Sequence, residues 1–486
     1  MRRLLTLAPS LLVIGGALLT GCAVGPNYVR PVPAGAHTSA FAAQDGAIEA
    51  PAAPPSQWWR LYNDPALDQL VQQALTENTD LQVAVANLGQ ARALLNQARA
   101  GLFPSTGVSA GYAYGRTAQA DAAAAAIGQR AQDTWSYTAG LDVSYEVDLF
   151  GRVRRSIESA KANAAAAEAA RDAVRVTVAA ETTRAYADAC AFGEEVDVGR
   201  RSLDIVQQGY DITVRQRDAG GLSDFDVARE ATLLAQTRAA IPTLEGQRRS
   251  ALYQLAVLTG RPPETVLSAA DACRTPPRLG QPVPIGDGQG MLRRRPDVRE
   301  AERDLASATA RIGVATANLF PTVTLGGNLN AIAPTAGGLG QYRNISFGVG
   351  PLINWTFPNT LVAQAQIQQT RAAASGALAS FNGAVLNALK ETEQALAAYG
   401  SELDRHASLQ VARDQSAEAL RLAQVRFEAG GASFLDVLDA QRTLVAADAT
   451  LAASDETLIS NQITLFKALG GGWEEAPATA PPRAAN

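Results

Sequence analysis

Three groups of residues have types and spacings that could do chemistry. The first is Cys22, directly after Leu19-Thr20-Gly21 at the end of an apolar run, 4–19, that Arg2 and Arg3 precede. A positive start, a short apolar run and small residues at its end make a secretory leader, removed on export. The run is too short to span a bilayer comfortably. A cysteine at that break has the pattern of a thiol that is acylated, so that an N-acyl diglyceride on Cys22 becomes the new chain start. Ala23 follows, where an Asp would hold the product at the inner membrane, and this implies the outer one. An ordinary leader with a chance cysteine is the alternative.

The second group is a pair of carboxylates, Asp436 and Asp439, behind Gly430-Gly431. Ser433 with Asp436 three residues on, and Ser223 with Asp226, spell a capping box with Asp in place of the usual Glu. Helix capping is thus the plain role of Asp226 and Asp436. Asp439 lies one turn further in, beyond capping reach, with Leu435 four residues before it on the same face. The third group is Cys190 and Cys273. They could pair in an oxidising compartment, but two cysteines make no disulfide framework, and two free thiols are expected.

Little else is reactive. His37 and His406 stand alone, and Gly286-Asp287-Gly288-Gln289-Gly290 lies in a Pro-rich linker, where it reads as a loop and not a phosphate cradle. With no nucleophile, metal or phosphate motif, an enzyme has nothing to be built from, and no metal or cofactor is expected. The chain has 47 acidic and 42 basic residues, two of the basic ones in the leader, so the mature net charge is −7. There is no basic patch for nucleic acid.

The elements that position these residues are written twice. Thr79-Asp80-Leu81, Leu88, Ala93, Ala98, Ala100 and Leu102-Phe103-Pro104 recur 217 positions later as Pro296-Asp297-Val298, Leu305, Ala310, Ala315, Ala317 and Leu319-Phe320-Pro321. Ala219-Gly220-Gly221, Ser223, Asp226-Val227, Leu255 and Gly260 recur 210 positions later as Ala429-Gly430-Gly431, Ser433, Asp436-Val437, Leu465 and Gly470. Each half reads helix, strand, loop, strand, long helix, Gly-Gly turn, helix. The expected organisation is a leader over 1–21, an anchor and extended segment over 22–60, a first repeat over 61–260, a linker over 261–291, a second repeat over 292–473 and a disordered tail over 474–486.

Over 137–149 the odd positions are Tyr, Ala, Leu, Val, Tyr, Val, Leu, and the even ones Thr, Gly, Asp, Ser, Glu, Asp. Ile345, Phe347, Val349, Ile353, Trp355 and Phe357 alternate with polar or small residues in the same way. Strict period two puts one face in an apolar medium and the other in water. Partner strands are expected over 108–114 and 323–329, with loops over 115–135 and 332–343. No apolar stretch beyond the leader is long enough for a membrane helix, so any crossing must be a closed barrel. Four strands cannot close one, since about eight are needed. They must be shared between chains, and three chains give twelve. The segments 152–217 and 362–428, free of Pro and rich in Ala, are long helices, each reaching roughly 100 Å at the α-helical rise. A plain coiled-coil stalk would not explain the strands that interrupt them.

Cys22-Ala23-Val24-Gly25-Pro26-Asn27-Tyr28, Trp58-Trp59 and Asp64-Pro65-Ala66-Leu67 resemble the opening of TolC-like outer-membrane efflux proteins of the NodT and OprM type. Arg295-Pro296-Asp297-Val298 to Ala301-Glu302, Ala317 to Pro321, Asp436 to Arg442 and Lys467 to Trp473 continue the resemblance to the last helix. It implies an α+β membrane protein with a two-fold internal repeat. Three copies would form a trimeric twelve-stranded β-barrel, four strands per chain, continuing into a long α-helical barrel. It also implies a passive duct, docked through the tips Gly220-Gly221-Leu222 and Gly430-Gly431-Ala432 to a periplasmic adaptor and an inner-membrane exporter of the resistance-nodulation-division type. By the same resemblance Leu435 and Asp439, with Asp436 as a weaker member, form threefold rings that close the entrance. Phe225 and Arg229 stand at the first-repeat equivalents, so that tip forms no equal ring and meets the adaptor instead. A type I protein-secretion duct uses the same architecture, and a structural lipoprotein stalk remains the rival from another class.

Overall fold

The computed structural model describes residues 23–32, 41, 52–116, 118–265 and 268–471. Cys22 and its acylation, the leader, His37, Gly472, Trp473 and the tail lie outside the described residues. Two compact units divide the chain. One comprises 1–31, 89–166 and 301–380; the other comprises 32–88, 167–300 and 381–486.

In the first unit four strands form one antiparallel sheet in chain order: β1 Ser105–Gly115, β2 Thr134–Val147, β3 Thr322–Ala333 and β4 Ile345–Asn354. The register lines up the period-two pattern. Val108, Leu141, Leu329 and Phe347 are successive partners in one row, and Gly107, Asp142, Asn328 and Gly348 in the next. Cross-strand partners share a face, so the rows alternate apolar and polar across all four strands. In the single chain the apolar row is bare: Val108 is 84 % and Phe347 78 % exposed. Among the described residues β1 and β4 each have one unpaired edge.

Several expected bounds shift: β2 starts at Thr134 and ends at Val147, and β3 runs on to Ala333. The segment 115–135, expected as a loop, contains helix α3, Ala118–Ala126, because a run of Ala satisfies its own backbone with little entropy loss. β4 stops at Asn354, before Trp355 and Phe357, which stack on each other at 4.6 Å ahead of a cis Phe357–Pro358 bond.

The residues after Cys22 are seated in this unit. Gly151 has φ +81°, and a Cβ there would lie 2.6 Å from Ala23 Cα. Gly25 has φ +89°, and its Cβ would lie 2.5 Å from Gly313 Cα. Buried Arg155 donates to the carbonyl oxygens of Val24 and Gly25 and, at 2.8 Å, to Asn27 Oδ1. Only glycine permits so close a backbone approach.

Helices α1, Pro65–Glu77, and α2, Thr79–Ala100, open the first repeat. The long helices are α4, Arg152–Asp218, and α9, Leu361–Glu428, each followed after a Gly-Gly turn by a 35-residue helix: α5, Asp224–Leu258, and α10, Phe434–Ala468. Between the repeats lie α6, Ser268–Ala272, and α7, Gly288–Arg294; α8, Pro296–Ala317, opens the second repeat as α2 does the first. An 18-residue window of α9 reaches mean hydropathy 1.2, long and apolar enough by composition to cross a membrane, and this corrects the expectation that no such stretch follows the leader. The uncharged run 372–389 holds seven alanines, each of which brings little apolar surface, beside three Leu, one Val and one Phe.

In the second unit the start and end of the repeats are locked together. Trp58, fully buried, stacks on Phe466 at 4.7 Å, and Trp59 donates to Asp68. Asp64 caps α1 through the amides of Ala66 and Leu67 and accepts from Tyr186. Cys190 and Cys273 form a disulfide, with Cα atoms 4.9 Å apart. The expectation of free thiols is thereby corrected: Cys190 is buried on α4, and the linker is brought against it by Arg248, which holds Asp271. Sequence spacing carries no information about such a non-local approach.

Candidate gate and docking tips

Both long helices end in the same way. Gly220 has φ +80° and Gly430 φ +73°. The amide of Gly221 donates to Gln216 and that of Gly220 to Arg217; Gly431 to Arg426 and Gly430 to Phe427 repeat the pair. This is the glycine-terminated cap in which a left-handed residue lets the chain double back on its helix. At the first tip Arg217 bridges Asp218 and Asp224 across the turn, at 2.8 and 2.9 Å. At the second, Arg426 donates to the Gly431 carbonyl oxygen.

The next helices start with complete capping boxes. Asp436 Oδ2 accepts from the Ser433 amide and hydroxyl, both at 2.8 Å, while the Asp436 amide donates to Ser433 Oγ. Asp226 and Ser223 repeat the arrangement. These donors favour the ionised form, and they hold both carboxyls below the usual range. Asp436 therefore has a structural task, as its spacing from Ser433 suggested.

Asp439 is free of that task and exposed, and Leu435 is exposed too, at 49 %. On the opposite side of the same helix Leu438 and Val437 are buried, Leu438 with Val206 and Leu233, and Val437 with Leu420 and Leu444. The helix thus turns Leu435, Asp436 and Asp439 outward from the packed core of its own chain. In the first repeat Arg229 lies over the ring of exposed Phe225, 5.6 Å from its centroid. An aromatic–cation pair replaces the apolar–carboxylate pair, and the two tips differ in chemistry as well as in position.

The Arg-Pro-Asp motif has a purpose that sequence did not disclose. Arg295 is buried, holds Asp297 and Glu391, and donates to Ala468 O at the end of α10. Sequence reading also missed a group of half-buried acids on α4 and α10. Asp188 and Glu195 are each pushed up to about 7, by burial first and then by the nearby carboxylate of Glu456. Among the described residues no group of His, Cys, Asp and Glu could hold a metal ion.

A sheet with two unpaired edges and an exposed apolar face, combined with helices of nearly seventy residues, defines the class of outer-membrane channel proteins. The outer membrane efflux protein family model matches residues 70–261 and 288–471, and the chain belongs to that family. It is 32 % identical to nodulation protein T of Rhizobium leguminosarum bv. viciae, over 96 % of this chain and 94 % of the relative. It is 31 % identical to the toluene efflux pump outer membrane protein TtgC of Pseudomonas putida, over 98 % and 96 %. The solved outer-membrane channel OprN superposes with a TM-score of 0.85 at 34 % identity, covering 93 % of this chain and all of that one. Family and fold are those of outer-membrane efflux channels and not of an enzyme.

Proposed function

We propose that the protein acts as a homotrimer, a passive duct that carries drugs or other small toxic compounds from an inner-membrane exporter of the resistance-nodulation-division type to the exterior. The observation that carries this reading is the sheet. Its apolar row runs unbroken from β1 to β4, yet both edges are open. Unpaired backbone is not tolerated in lipid. Because the four strands alternate in direction, β4 of one copy runs antiparallel to β1 of the next, and three copies close twelve strands. The helices then wall a periplasmic tunnel. The tips Gly220-Gly221-Leu222 and Gly430-Gly431-Ala432 receive a periplasmic adaptor, while Leu435 and Asp439, with Asp436 at their edge, ring the entrance. Three carboxylates close together favour cations and resist full ionisation. Acylation of Cys22 anchors each copy beside the Ala23 seat. No step requires catalysis or a cofactor.

The test is the native mass of the mature protein extracted from outer membranes in mild detergent. A trimer is expected; a monomer with intact secondary structure overturns the barrel, the tunnel and the gate together.

A further inference from the structure

Glu230 is a carboxylate with no evident reason to be where it is. It sits on α5 and is fully buried, and neither side-chain oxygen has a hydrogen-bond partner among the described residues. An unpaired buried charge is among the most costly features a fold can carry. Space has been made for it: a Cβ added at Gly209 of α4 would lie 2.8 Å from Glu230 Oε1 and 3.2 Å from the amide group of Gln441 on α10. Around this gap Val206, Leu233 and Leu438 form an apolar cluster.

The internal repeat supplies a comparison. At the 210-residue shift the equivalents of Gly209 and Glu230 are Ala419 and Ala440. There the second repeat carries two alanines, Ala419 exposed and Ala440 half-buried, whereas the first has a glycine facing a fully buried acid.

We propose that Glu230 is a proton-binding site that sets the packing of the first helical hairpin. Neutral, its carboxyl fits the gap at Gly209. Ionised, it is drawn toward Arg442 and water, and α5 loosens from α4 and α10. The groups facing it are Gly209 and Val206 on α4, Gln441, Leu438 and Arg442 on α10, and Leu233 on its own helix; Arg442 is the charge that acts on it. Burial pushes Glu230 up to about 7, against the pull of Arg442. The fold therefore favours the protonated form: its cost is absent below the ordinary Glu range, grows as pH rises, and is complete above about 7. This inference does not depend on the trimer or on the gate.

The experiment is hydrogen exchange on the full-length protein between about pH 5.5 and 8, with segment 405–428 as the internal reference for segment 205–235. Protection of 205–235 relative to the reference is expected to fall by about tenfold across that range. It should stay flat in Glu230→Gln, and also in Gly209→Ala/Glu230→Ala, which puts a methyl where the carboxyl now lies. Infrared difference spectra should show a carboxylic-acid band that titrates near neutral pH and is missing from Glu230→Gln. An equal loss of protection in Glu230→Gln, or a carboxyl already ionised at the acid end, overturns the proposal.

Discussion

Arg295 donates a hydrogen bond of 3.0 Å to the carbonyl oxygen of Ala468. Its first-repeat counterpart is Asn78, which donates to Leu258 O at 3.1 Å. Leu258 and Ala468 are themselves equivalent under the repeat. Two different side chains thus close the last turn of α5 and α10 in the same way, satisfying carbonyls that a helix end leaves unpaired.

Arg295→Ala removes one of the two donors to Ala468 O, Thr392 being the other, and takes the cation from half-exposed Asp297 and Glu391. It should cost about 1–3 kcal/mol, read as a lowered midpoint in denaturant unfolding. Asn78→Ala should cost about 1 kcal/mol. Arg295→Lys should recover only part of the loss, because an ammonium with three donors cannot reproduce the guanidinium's four bonds, two of them to Asp297.

Gly25→Ala brings a methyl group to 2.5 Å from Gly313 Cα, at a φ of +89°. Residues 23–32 should leave their seat while the sheet persists. Limited proteolysis should then cut the variant within that segment under conditions that leave the parent protein whole.

The Cys190–Cys273 bridge closes a loop of 83 positions. On the chain-entropy account a crosslink of that span is worth up to about 4.5 kcal/mol. Reduction, or Cys190→Ala/Cys273→Ala, should lower the unfolding midpoint and raise hydrogen exchange in 270–290. Channel conductance should change little, since the bridge packs the linker against Cys190, which lies roughly 24 Å along α4 from Val206, the residue that packs on Leu438 beside the gate residues.

Leu435→Ala/Asp439→Asn should raise single-channel conductance severalfold in planar bilayers without lowering stability, because both side chains are exposed. Unchanged conductance would place the constriction elsewhere. Asp436→Asn weakens a capping box, so fraying of the first turn of α10 should accompany any effect it has on the channel.

Two sets of acids give stability a maximum in mildly acidic solution. Asp226 and Asp436 are held below their usual range, so their contribution is present above it and is lost as pH falls through the lowered values. Asp188 and Glu195, pushed up to about 7, act with the opposite sign: stability is lost as pH rises toward that value. The thermal midpoint should peak near about pH 5 and decline toward 8. Asp188→Asn/Glu195→Gln should flatten the alkaline side.

What the sequence disclosed was the periodic part. The long helices lie within a residue of the bounds read from Ala-rich, Pro-free segments, since such segments satisfy their own backbone wherever they are placed. The strands were legible because alternation is local. Three things were hidden because they depend on approach between distant residues: the disulfide, the Gly25–Gly313 contact and the buried Glu230. Helix α3 was hidden for another reason, as an alanine run between strands has no face to declare. At the tips, Ser433 and Asp436 announced their cap by spacing, whereas the environment of Asp439 in an assembly is not written in one chain.

Trp58 meets Phe466, and Tyr62 meets Gln462, 400 positions further along. A chain delivered from its N-terminus must therefore hold the Trp58 indole without its stacking partner until almost all of it has arrived. The aromatic slot is completed by the last helix, so a prematurely ended product leaves Trp58 unstacked. Such a product carries a visible mark of incompleteness, one that holdases and proteases of the envelope can read before any channel is assembled.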